Sequence, residues 1–280
     1  MEKITFIGVK GGPGSGNWGH AGRPGLRGGS GGRGVYSPGG VVLSNAEGSA
    51  SNSMAISHLD SNMPRSWFIA THAQRAEAKR GICAYLSTKT GVDKEDVRSF
   101  IGQWSRSSND TDMRSLAIQR DAAKEFGVKL SDWQEGKIVE NESLAKRATF
   151  DPSLPSSFKP LLPSNQQQSL LRAMYTNTQE ALREQGIKGH VRLYRGINMP
   201  DVATKGWKPR DIVDYNGNTI ESWSASRQTA GTFGNVVVSM DVPVENIVGT
   251  ARTGFGCLLE AEFTIMGSIP GQQAQVIFTE

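Results

Sequence analysis

From about Ser66 to Gly186 the apolar positions return every three or four residues, the period of a helix that buries one face. A first helix is expected from Trp67 to Lys89. Asp93 can cap a second, through Phe100, Ile101 and Trp104. A third carries Met113, Leu116, Ala117 and Phe126 and stops at Gly127, a residue suited to a helix C-terminus. Ser131 with Gln134, and Ser164 with Gln167, fit the capping-box spacing. The clearest helix holds Leu170, Leu171, Met174, Tyr175, Ala181 and Leu182 and closes at Gly186. A Pro-rich passage, Pro152 to Pro163, divides it from the helices before.

At His190 the period becomes two. Val191 to Arg195 reads as a strand ending at Gly196, and Thr219 to Ser224 as a second. A short helix is expected near Thr229 to Phe233. Further strands are Val236 to Met240, Asn246 to Val248 and Ala274 to Phe278. The run Leu258 to Ile265 also alternates. As a strand it turns Leu259, Ala261, Phe263 and Ile265 to one side and Glu260 and Glu262 to the other, their Cα atoms roughly 7 Å apart. Helices followed by about six short strands give an α+β fold.

Composition changes the picture before residue 57. Fourteen of the 33 glycines fall between Gly11 and Gly40. A G-x-G-x-x-G at Gly14, Gly16 and Gly19 follows a strand-like run, but the Gly-rich stretch with Pro24 cannot start the helix a dinucleotide site needs. A flexible linker or tail to about Met54 is the reading. This segment also holds most of the basic excess: five Lys/Arg against two acids in residues 1–56 leave +3 of the chain's +4. The rest is nearly neutral, which argues against a nucleic-acid-binding body. Cys83 and Cys257 show no disulfide or metal spacing, and the four histidines are scattered. No apolar run is long enough to span a bilayer, and Ile4 to Val9 is too short for a signal-peptide core.

Three small clusters could carry chemistry. Arg195 ends a strand beside Gly196, where backbone can approach a ligand. Ser222 and Ser224 share a strand face, with Trp223 on the other, and Glu260 and Glu262 share theirs. An arginine for phosphate, hydroxyls for orientation and two carboxylates suit a phosphorylated sugar that loses a leaving group. Singly, each has a plain structural explanation: a solvated strand face for the glutamates, an ion pair for Arg195, a polar face for the serines, and core for Phe233 and the tryptophans, Trp67, Trp104 and Trp133 among them.

In order, Tyr194-Arg195-Gly196, Ser222-Trp223-Ser224 and Glu260-Ala261-Glu262 resemble the ADP-ribosyltransferase toxin family in its Arg–Ser–Glu class. Ser226 to Phe233 looks like the family's Ala-x-x-Phe helix, and Thr178 to Gly196 like phage and bacterial members. The likeness covers about residues 57–280. With the Gly/Ser-rich flexible tail that composition places over 1–56, it gives a helical N-terminal lobe over 57–188 and a mixed split β-sandwich catalytic core over 189–280. Trp223 stands where Thr is usual, and no His-bearing first motif of the diphtheria-toxin-like class is present.

The roles that follow from the resemblance are these. Glu262 is the catalytic glutamate at the nicotinamide ribose, and Glu260 orients and deprotonates an arginine acceptor. Arg195 holds the NAD phosphates and the Gly196 backbone takes the nicotinamide amide. Ser222 supports the ribose site, Ser224 positions Glu262, and Phe233 stacks on nicotinamide. Phe255, in the loop Gly249 to Gly256, is expected to be exposed and to touch the protein substrate. NAD is the co-substrate and no metal is needed. The partner is a protein in a bacterial host, with no nucleic acid or membrane involved and a monomer expected. The tail resembles Gly-rich segments encoded near phage head-morphogenesis genes, which suggests a phage virion or the host cytoplasm. Two other readings stay open. An NAD glycohydrolase would give free ADP-ribose, and a non-catalytic virion or interaction module would gain no thermal stability from NAD.

Overall fold

The computed structural model describes residues 35–37, 40–42, 61–64, 67–68, 72–106, 113–130, 134–139, 160–198, 207–267 and 269–279. The G-x-G-x-x-G stretch, Ser131, Trp133 and most of the Pro-rich passage lie outside these residues. Two short strands, β1 (Val35–Ser37) and β2 (Gly40–Val42), pair antiparallel where composition suggested only linker. They flank Pro38-Gly39, a turn-forming pair, and supply Val35, Tyr36, Val41 and Val42, all good strand formers.

Helix α1 (His72–Thr90) begins later than the periodicity suggested, leaving Trp67 and Phe68 buried ahead of it. Helix α2 (Lys94–Arg106) starts after Asp93, whose carboxylate accepts from the Glu95 N–H at 2.8 Å. Helix α3 (Met113–Phe126) ends at Gly127, at φ +66°, a left-handed conformation glycine adopts without strain. A short helix over 134–139 follows. Helix α4 (Ser164–Glu184) ends at Gly186, φ +70°. Its start departs from the capping box, for the N-cap is Pro163. Ser164 instead donates to buried Asp121 at 2.6 Å, and Gln167 donates to the Leu162 carbonyl at 2.9 Å.

The strands are β3 (His190–Ile197), β4 (Ile212–Asp214), β5 (Ile220–Ser224), β6 (Val236–Pro243), β7 (Ile247–Thr250), β8 (Glu262–Met266) and β9 (Gln273–Thr279). They form a seven-stranded sheet in the order β4-β9-β6-β3-β5-β8-β7. Every pairing is antiparallel, which corrects the expected mixed sheet. The chain is thus α+β. Strands β3 and β5 meet at a single pair, Tyr194 opposite Ser224, so the sheet splits there into two halves. Their inner faces close on one core, with Leu193, Val238 and Met240 from one half and Trp223, Phe263 and Ile265 from the other. That is the split sandwich the resemblance implied.

The outer face of the β5–β8–β7 half is covered by the helices. Ile220, Val248 and Met266 join Phe100, Trp104, Leu170 and Met174 in a second core. Polar clamps fix the docking. The Gln119 amide accepts from the Ile220 N–H at 2.9 Å and donates to the Ile220 carbonyl at 2.8 Å, as a neighbouring strand would. Thr178 bonds the Val248 carbonyl and the Thr253 hydroxyl, and Gln179 bonds the carbonyls of Val244 and Ile247.

Candidate active site

The glutamate pair does not share a strand. Leu258–Glu260 form a 3₁₀ turn, Ala261 takes the left-handed conformation at φ +48°, and β8 begins only at Glu262. The Cys257 carbonyl accepts from the N–H groups of both Glu260 and Glu262, each at 3.1 Å, and this folds the segment back on itself. Alternation alone missed the turn, because Leu258-Leu259-Glu260 fits a strand and a tight helical turn equally well. Leu259 is exposed rather than on an apolar inner face, and Glu260 is half-buried beside the strand end.

Glu262 is 2% exposed. Its Oε1 accepts from the Ser222 hydroxyl at 2.5 Å and from the Trp104 indole N–H at 3.2 Å. Its Oε2 has no hydrogen-bond partner among the described residues. Burial pushes this carboxyl above its ordinary value, opposed by the bonds from Ser222 and Trp104, the Cys257 backbone and the nearby Arg195 charge. One oxygen is fixed by two donors, and the other is buried without a hydrogen-bond partner among the described residues. The Cys257 thiol, pushed up by burial and then by Glu260 and Glu262, stays protonated beside them.

The glutamate contact expected of Ser224 is made by Ser222 instead. Ser224 lies opposite Glu262 in the register, yet its hydroxyl donates to the Glu260 carbonyl at 2.6 Å and accepts from the Ser226 N–H at 3.0 Å. Ser222, diagonal to Glu262 and opposite Thr264, holds the carboxylate. Ser224 therefore positions the turn, and Ser222 positions the glutamate.

Arg195 is also placed differently from the expectation of an open phosphate contact. The pairing of Tyr194 with Ser224 puts Arg195 on the inner face with Trp223, where it is 3% exposed. Its guanidinium donates to the Ser222 carbonyl at 2.5 Å and stands 3.5 Å from the Glu221 carboxylate. Glu221 accepts from Tyr215 and Trp223, each at 2.9 Å, and is backed by Gly217 and Gly267, at which a Cβ would collide with its carboxylate. Gly196 packs backbone on backbone against Ala230 and Gly234 in the segment that carries helix α5 (Arg227–Gly231). Ser226 caps α5 by accepting from the Thr229 N–H at 3.2 Å, so the helix starts two residues before the expected Thr229. Phe233, just beyond, is buried to 9% exposure.

Phe255 overturns the exposure expected of it. It is fully buried, stacked on Trp104 with ring centroids 4.8 Å apart and planes 11° apart, and 5.1 Å from the Phe100 ring. A Gly-flanked aromatic in a loop looked like a surface residue; the apolar faces of α2 and α4 drew it inward. The sequence reading missed Trp104 and Glu221 as site residues. A tryptophan on an apolar helix stripe was a usable signal, since a buried indole N–H needs an acceptor. Glu221, between Ile220 and Ser222, carried none.

Among the described residues no cluster of His, Cys, Asp and Glu could hold a metal ion, and no helix is long and apolar enough to cross a membrane. No curated protein and no solved structure matches the chain significantly. Residues 156–268, about two fifths of the chain, match the family model described as dinitrogenase reductase ADP-ribosyltransferase. That segment contains Arg195, Ser222, Ser224, Glu260 and Glu262, but not Trp104. Over that segment the chain is similar to an ADP-ribosyltransferase family, a likeness consistent with the split sandwich.

Proposed function

We propose that the chain transfers ADP-ribose from NAD to an arginine of a bacterial protein and releases nicotinamide. The observation that carries this reading is Glu262, a buried carboxylate with one oxygen fixed by Ser222 and Trp104 and the other unpartnered. As the glycosidic C–N bond breaks, nicotinamide leaves with the electron pair and positive charge spreads over the ribose. A fixed carboxylate in a site of low dielectric stabilises that charge more than it stabilises the ground state. The arginine nitrogen then bonds the anomeric carbon and loses a proton. Glu260, at the turn preceding β8 and more accessible than Glu262, is the group for that proton and for orienting the guanidinium.

Arg195, inside the split, acts through its charge and through the Ser222 backbone, keeping the Glu262 carboxylate more acidic than burial alone would leave it. Gly196, packed on the segment that carries α5, and Phe233, just beyond that helix, are the positions for nicotinamide. The matched family's name has dinitrogenase reductase as its acceptor, which supports a protein acceptor here too. The test is incubation of the protein with labelled NAD and a bacterial lysate. Label on protein that neutral hydroxylamine removes supports arginine transfer. Free ADP-ribose without labelled protein would make the chain a glycohydrolase, and neither product would refute the enzymatic reading.

A further inference from the structure

We infer that Trp104, in helix α2, is a positioning residue for the Glu262 carboxylate, so that the site is completed by helices preceding the family-matched segment. This rests on the reading of Glu262 as the catalytic glutamate. Strands β5 and β8 turn Ser222 and Glu262 outward, to the side the helices cover, with Ile220 and Met266 on the same face. Trp104 comes from that cover, and its indole donates at 3.2 Å to the same oxygen that Ser222 holds.

The ring cannot easily turn away. It is fully buried, stacked on Phe255, and Phe255 is itself packed against Phe100 and against the Met174 sulfur, which meets the Phe255 N–H at 3.3 Å. Two donors on Oε1 fix the carboxylate in rotation and leave Oε2 as the oxygen that meets a ribose hydroxyl. With Ser222 alone the group could pivot about one hydrogen bond. Trp104 lies about fifty residues before the start of the match at residue 156, so the matched segment lacks one of the two groups that aim its glutamate.

The ionisable groups near Glu262 are Arg195 and the Cys257 thiol, and Glu260 also acts on that thiol. Arg195 remains cationic and Cys257 remains a thiol across the working range. Glu260 is removed by running each titration also in a Glu260→Gln background.

The full chain labelled with ¹⁵N gives one indole signal for each of its six tryptophans. One signal should shift with pH as Glu262 takes up its proton, and Glu262→Gln should abolish that shift. Trp104→Phe should delete the same signal. The same variant should lower kcat for NAD cleavage on the order of tenfold, the fold-change of one hydrogen bond to a charged group, with KM for NAD little changed. It should also move the acidic limb of the kcat/KM profile to higher pH, because a donor that favours the ionised form is gone. A residue that only packs would lower activity at every pH and leave the limb in place.

Absence of any indole signal that follows Glu262 overturns the inference, whether or not the protein cleaves NAD. So does an unmoved limb in a folded Trp104→Phe protein. Should that variant not fold, wild type and Glu262→Gln still decide. A wild-type protein that cleaves no NAD but shows the coupled indole refutes the catalytic reading and leaves the contact established.

Discussion

Replacing Phe255 with alanine should destabilise the whole protein rather than disturb only a surface contact. The ring is fully buried and lies against Trp104 at 4.8 Å and Phe100 at 5.1 Å. Losing a buried phenyl group and leaving a cavity costs about 3–5 kcal/mol. Part of that is the stacking with Trp104, about 0.5–1.5 kcal/mol beyond area burial. With a urea slope of about 2 kcal/mol/M, the unfolding midpoint should fall by roughly 2 M. The assay is equilibrium urea unfolding followed by far-UV circular dichroism, with Trp104→Phe and the double variant completing a cycle. Since Trp104 rests on Phe255 and donates to Glu262, NAD cleavage and protein modification should decline together. A midpoint within a few tenths of a molar of wild type, with protein modification lost and NAD cleavage kept, would refute the reasoning and return Phe255 to the surface.

Other outcomes follow from the same contacts. Gln119→Ala strands the buried N–H and carbonyl of Ile220, at about 1–3 kcal/mol per group, so it should cost roughly 2–6 kcal/mol and speed amide exchange at Ile220. Glu262→Gln keeps both acceptor contacts and removes a buried charge. The Glu262 pKa is raised in the folded state, so ionisation costs stability as pH rises through that pKa and the cost vanishes below about 4.5, the unfolded value. The variant should therefore melt above wild type at neutral pH and converge with it in acid; a gap that widens in acid would contradict this. Gly267→Ala places a Cβ 2.6 Å from the Glu221 carboxyl carbon and 2.5 Å from the Asn218 carbonyl, and should cost about 1–3 kcal/mol in thermal unfolding. Gly231→Ala, whose Cβ would meet only Val237 at 3.7 Å, serves as its neutral control.

The elements were legible where one period ran long enough to decide. Helices α2 and α3, the end of α4 at Gly186 and strands β3, β5 and β6 follow the pattern to within a few residues. Strand β4 escaped, since Ile212-Val213-Asp214 is too short and too exposed to alternate. Capping by Ser164 failed because a buried carboxylate, Asp121, competed for its hydroxyl from far along the chain. The site was legible as an ordered set of residue types. Their contacts were not, because these depend on register. One Tyr194–Ser224 pair decides that Arg195 faces Glu221, and one left-handed residue, Ala261, lifts Glu260 off the strand. The hand that Trp104 lends to Glu262 crosses from α2 to β8, a pairing no local pattern encodes.

The most direct test of the central claim is transfer of label from NAD to protein by wild type, Glu260→Gln and Glu262→Gln side by side, with released nicotinamide measured in the same tubes. The expected result is hydroxylamine-sensitive protein label with wild type, nicotinamide release with little label for Glu260→Gln, and neither for Glu262→Gln. Label and nicotinamide release at wild-type levels from a folded Glu262→Gln protein would contradict the assignment of Glu262 as the carboxylate that carries the reaction.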